Sequence, residues 1–266
     1  MTNKLKAEDT APTNAMGGKV PRVAWNGWWG VVYMVLVFYL AQAIAVWLVL
    51  LFAAAKGQTQ NQAIDWLNDS IPAQFFYVLL AETLTIGALY FFLRWQRSNF
   101  RAIGLKRPRW REVKYGLLAV LPYYVIYILT VGVVSAVVSG FDTNQTQEIG
   151  FTGAQGVGPL LLVFVSLVVL PPIVEEIMVR GFLYSSLRKV VPLGWAVFLT
   201  SLIFAGAHLP EGGDAGPLYI AAVDTFVLSL VLIYLREKTG SLWASITLHG
   251  VKNSVAFLLL FVWHVG

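Results

Sequence analysis

Three short stretches of this 266-residue chain carry reactive residue types at helical spacing. Glu175 and Glu176 are adjacent, with Arg180 four residues beyond Glu176; Phe204 and His208 are four apart, and so are His249 and Asn253. Residues i and i+4 lie on one face of a helix. Glu176 and Arg180 can therefore close an ion pair on their own helix, whereas Glu175, rotated by about 100°, lacks that partner and is free to point into a cavity. A carboxylate withdrawn from water becomes a stronger base, which suits a general base working near neutral pH. The ring of Phe204 and the imidazole of His208 share a face, and Gly206 between them would permit close helix approach. A histidine and an asparagine one turn apart can both donate to one oxygen, which is what an oxyanion hole requires. His264, at the end of the chain, reads as incidental.

The elements that must position these groups are membrane helices. The chain is 58% hydrophobic and 12% charged, with a mean hydropathy of +0.68; soluble domains are about 25% charged. Crossing a hydrocarbon layer takes roughly 20 apolar residues in a helix. Stretches of about that length fall near 30–54, 73–93, 115–138, 158–187, 194–208, 217–235 and 242–263. The expected fold is thus all-α, a polytopic bundle of about seven transmembrane helices. Residues 1–24 read as a polar, disordered cytoplasmic tail without a cleavable signal. Residues 25–154 would form transmembrane helices 1–3, and residues 155–266 a core of helices 4–7. With no cysteine in the chain, disulfides and thiolate metal sites are excluded.

Charge sorts the loops. Of the 19 Lys and Arg residues, 17 fall in the N-terminal tail, in alternate connections or, for Arg180, near the same-side end of the fourth span, eight of them between the second and third spans. Positive residues concentrate on the cytoplasmic side, so the N-terminus is expected inside and the C-terminus outside. The net charge of +5 is thereby explained by topology, and no nucleic-acid partner is expected. Counting 1.5 Å per residue from the basic markers places Glu82, Glu175, His208, Asp224, His249 and Asn253 roughly 16 to 23 Å along their helices. Ionisable groups at such depth usually face the bundle interior. Glu82 and Asp224 belong to no recognisable cluster and read as paired structural residues, with Lys252 and Arg180 as the cations that neutralise carboxylates. Pro171-Pro172 is expected to kink the fourth helix beside Glu175 and open room for water.

The ordered set EEIMVR (175–180), FAGAH (204–208) and HGVKN (249–253) resembles the CPBP family of type II CAAX prenyl endopeptidases and bacteriocin-processing or self-immunity proteins, whose motifs are EExxxR, FxxxH and HxxxN. The resemblance spans about residues 155–263. It implies an intramembrane endopeptidase in which Glu175 and His208 activate a water, His249 and Asn253 stabilise the oxyanion, and Glu176, Arg180 and Phe204 support the site. It leaves two forms of the chemistry open. One is metal-free, a glutamate-activated water with no cofactor; the other is a zinc centre on Glu175, His208 and His249. With one histidine serving beside Asn253, the metal-free form is the expectation.

The partners implied are the lipid bilayer and a peptide or membrane-protein substrate; a prenylated CAAX tail, a bacteriocin leader and a membrane-protein segment all fit. The expected location is a prokaryotic plasma membrane. The competing reading is a non-proteolytic scaffold or immunity protein of the same fold. A proton-coupled transporter, which would also bury Glu, Asp and His, is disfavoured because no inverted repeat or matched pair of broken helices is evident.

Overall fold

The computed structural model describes residues 23–264, so the expected disordered tail, residues 1–24, lies outside the described residues except for its last two, of which Val23 is buried. Eleven α-helices follow in order among them. They are α1 (Gly27–Ala55), α2 (Gln60–Asp69), α3 (Ile71–Trp95), α4 (Trp110–Leu118), α5 (Val120–Val137), α6 (Val157–Phe164), α7 (Leu170–Glu175), α8 (Tyr184–Val190), α9 (Leu193–Ala207), α10 (Tyr219–Thr239) and α11 (Trp243–Phe257). Wider π-helical turns link α6 to α7 (Val165–Val169), link α7 to α8 (Glu176–Leu183) and extend α11 (Leu258–Val262), and a 3₁₀ turn follows α9 (Leu209–Ala215).

Counted as continuous helical runs, seven of the described segments are long and apolar enough to cross a membrane: Gly27–Ala55, Ile71–Trp95, Trp110–Val137, Val157–Val190, Leu193–Gly213, Tyr219–Thr239 and Trp243–Val262. All seven expected spans are there, most of them a few residues longer than expected. The short helix α2 was not anticipated from hydropathy; it opens with a reciprocal Thr59–Gln62 capping box that satisfies its first donors. The third span is divided at Ala119. Pro122 lacks the amide proton that Leu118 would otherwise accept, and its ring crowds that carbonyl.

The outward faces stay apolar. Along α5, Leu121, Ile128, Leu129, Val133 and Val137 are all more than 60% exposed. Side chains of this kind are covered by acyl chains in a bilayer, and helices satisfy every backbone group internally there. Inside, a large cluster gathers Met34, Leu89, Phe92, Ile177, Phe182, Leu183 and Phe204 from four segments. Glycine allows the closest approach: a Cβ on Gly30 would strike the Ser186 side chain, and the neighbouring Trp25 indole donates to Ser186 Oγ at 2.8 Å. These contacts lock α1 to α8, which continues the helical run that carries both glutamates.

The basic connection between α3 and α4 does more than set topology. Its Ile103 is fully buried, and the Ile103 carbonyl accepts from Arg236 Nη2 at 3.2 Å. The Gly104 carbonyl accepts from the Leu242 amide at 3.1 Å. Gly104 holds φ +98° with the Arg236 guanidinium where a Cβ would stand, so a side chain there meets both a left-handed backbone and a cation. The connection therefore clamps the junction of α10 and α11.

Candidate active site

The site is built around the interrupted helix 157–190. Pro171 and Pro172 cannot donate backbone hydrogen bonds. In α register the Leu167 carbonyl would wait for residue 171, and in π register for residue 172. Both are proline, so this carbonyl has no donor at either position of its own helix, and a carbonyl in the protein interior is normally paired. Asn253 supplies it: its Nδ2 donates to the Leu167 oxygen at 2.9 Å. The proline pair thus docks α11 against the glutamate helix at the asparagine of the third motif. Asn253 keeps a second amide N–H for the cavity.

Glu176 is the hub of the charged network. Arg180 Nη1 donates to its Oε1 at 2.9 Å, and both side chains are fully buried. The same oxygen lies 3.2 Å from His249 Nδ1, and since a carboxylate only accepts, Nδ1 carries the proton. Beyond the expected Glu176–Arg180 pair, the structure adds that Glu176 orients His249, 73 residues away. The Arg180 guanidinium also lies 4.2 Å from the centre of the Phe204 ring, a cation–π contact. On its other edge Phe204 meets the His208 ring at 4.7 Å.

The two histidines are held differently. His249 Nε2 stands 3.8 Å from Glu175 Oε2. His208 Nδ1 is 2.8 Å from the Phe204 carbonyl, so it donates there and the neutral ring presents a bare Nε2 to the site. That Nε2 faces Glu211 Oε1 at 3.9 Å. Glu175 and His208, expected to act together, do not pair directly; they share the walls of two adjoining cavities.

The larger cavity, about 420 Å³, is mostly apolar and lies between α1, α3, α7 and α9, with Glu82, Glu175, His208 and Glu211 on its wall. The smaller, about 220 Å³, is lined by Glu175, His208, His249, Asn253, Lys252 and Glu211 among others. All four residues expected to do chemistry therefore border the smaller cavity, with Glu176, Arg180 and Phe204 packed behind them. Of the polar residues expected to share a cavity, one lines neither of these two. Asp224 is absent from both cavity walls: it pairs with Lys252 at 3.0 Å and accepts from the Tyr123 hydroxyl. Glu82, read as a paired structural residue, instead lies on the larger cavity with no ion-pair partner among the described residues. Gly206 also corrects its reading: a Cβ there would meet nothing within 4 Å, because it borders the larger cavity and no helix approaches it.

Two residues escaped the sequence reading. Glu211 stands three positions past His208, a spacing that could have flagged it. Gln147, in the long connection between α5 and α6, donates to Glu211 Oε2 at 2.6 Å; nothing local announces that contact. Among the described residues no group of three or more His, Asp or Glu side chains is arranged to hold a metal ion.

Fold and site together define a multi-pass helical membrane protein with a carboxylate, two imidazoles and an amide converging on an internal cavity. Residues 157–255 match the family model of the type II CAAX prenyl endopeptidase Rce1-like proteins, which agrees with the CPBP resemblance and encloses all three motifs. The match supports an intramembrane protease activity of the CAAX type in general. Comparison with curated proteins and with solved structures gives no match.

Proposed function

We propose that this chain is an intramembrane endopeptidase of glutamic type, in which Glu175 activates a water and no metal takes part. The water gives one proton to Glu175, and its oxygen adds to the scissile carbonyl carbon. His208 Nε2, bare in the neutral ring, accepts the other water hydrogen and fixes the attack direction. The oxyanion meets the free amide N–H of Asn253 and His249 Nε2–H. To donate there while Nδ1 serves Glu176, His249 must be the imidazolium, and the two flanking carboxylates are its counter-charge. Collapse of the intermediate breaks the C–N bond, and Glu175 returns its proton to the departing amine. The observation that carries this reading is the convergence of Glu175, His208, His249 and Asn253 on one cavity.

The mostly apolar larger cavity suits the hydrophobic part of a substrate, such as a prenylated CAAX tail or a membrane-protein segment, with a bacteriocin leader as the third class. The charge pattern supports an N-terminus on the cytoplasmic side, and a prokaryotic plasma membrane is the proposed location. Comparing peptide termini in cells carrying the wild type and Glu175→Ala is expected to show a set of termini lost in the variant. Identical termini would favour the scaffold or immunity reading. Cleavage by purified protein is expected to survive exhaustive chelation. Loss of activity that zinc alone restores would overturn the metal-free chemistry.

A further inference from the structure

We propose that Glu211 is a positioning residue for His208, held in place by Gln147 from the connection between α5 and α6. The inference rests on the proposed protease reading of the same site. Helix α9 ends at Ala207 and the chain tightens into the 3₁₀ turn Leu209–Ala215. In that geometry residues three apart eclipse one another, which brings Glu211 over the imidazole one turn back. The Glu211 amide donates to the His208 carbonyl at 3.3 Å and closes the turn.

Glu211 is then tied at both ends by one neighbouring segment. Gln147 Nε2 donates to its Oε2 at 2.6 Å, and its backbone carbonyl accepts from the Glu148 amide at 2.9 Å. The segment is itself fastened beyond the turn: Gln145 Nε2 donates to the Pro217 carbonyl at 3.1 Å, and Gln145 Oε1 accepts from the Ile220 amide at 3.2 Å. With Oε2 occupied, the other oxygen of Glu211 is left facing His208 Nε2 at 3.9 Å.

That juxtaposition has a chemical meaning. The Phe204 carbonyl takes the Nδ1 proton, so carboxylate and bare Nε2 are two acceptors face to face. The pair is satisfied when a proton sits on Nε2. Glu211 therefore keeps the Nε2 edge of His208 in place and supplies the counter-charge whenever the ring takes up a second proton. Glu175 does not fill this place, because its carboxylate pairs with His249.

The test uses the full-length protein in detergent and a fluorogenic peptide spanning a terminus that depends on Glu175. Glu211→Gln keeps the shape and an oxygen for Gln147 but removes the charge. Its kcat is expected to fall by about tenfold or more, with KM within about twofold of wild type. Glu211→Asp, which keeps the charge, should recover part of the loss. Wild-type kcat in Glu211→Gln overturns the proposal, and so does a defect confined to KM, which would mark a substrate-binding group. Should Glu211→Gln fail to fold, Gln147→Leu gives the same readout, because freeing Oε2 should lower kcat; an unchanged kcat there overturns the proposal as well. Glu175→Ala separates the two levels. If it still cleaves, the glutamate-activated mechanism on which this inference rests fails; if it is inactive while Glu211→Gln is fully active, only the role of Glu211 fails.

Discussion

Glu175→Gln is expected to lower peptide cleavage by about 100-fold or more, to the limit of detection, while the protein folds and melts as the wild type does. The substitution keeps size and hydrogen-bonding shape but removes the group that takes the water's proton. Folding should survive because Glu175 is not tied into the buried hub: its nearest charged partner is His249 at 3.8 Å, and its side chain keeps 27% exposure to the cavity. Replacing it leaves the Arg180–Glu176–His249 chain whole. Initial rates and thermal unfolding of the purified protein in detergent check both halves. Cleavage at more than a tenth of the wild-type rate would remove Glu175 from the chemistry.

Arg180→Ala is expected to do the reverse, destabilising the fold first and abolishing activity as a consequence. Arg180 and Glu176 have no exposure at all. Removing one partner of such a buried pair leaves the other charge uncompensated, at a cost of about 3–5 kcal/mol. The Phe204 ring also loses the cation packed on its face. The paired replacement Glu176→Gln with Arg180→Met should recover much of the stability, since it leaves no orphaned charge. Activity should stay below wild type even so, because the carboxylate of Glu176 orients His249 and offsets its charge. Unfolding temperature and cleavage measured on the single and double variants separate the two effects. A single variant as stable as wild type would mean that the pair is not what holds this helix in place.

The contrast between the two glutamates was legible in the sequence because it depends only on helical periodicity. Glu176 has Arg180 one turn on, and Glu175 does not. The same local rule paired Phe204 with His208 and set His249 one turn from Asn253. Glu82 and Asp224, by contrast, look alike in sequence, each a lone acid inside an apolar span. Their fates diverge because Asp224 lies beside Lys252 and Tyr123, whereas Glu82 lies on the larger cavity. Neither outcome follows from neighbours in the chain.

By itself, then, the sequence determined the seven apolar spans, the loops that carry the positive charge, and the i,i+4 pairs that each helix presents. All of these are local properties of hydropathy and of a 3.6-residue turn. The tertiary structure decided which helix face meets which. It placed the Asn253 amide on a carbonyl that two prolines leave without a donor, 86 residues away. It set His249 against Glu176, and it brought Gln147 to Glu211 across 64 residues. The physical reason is that buried donors, acceptors and charges must be satisfied, and in a helix bundle the partner that satisfies them comes from whichever helix packs alongside.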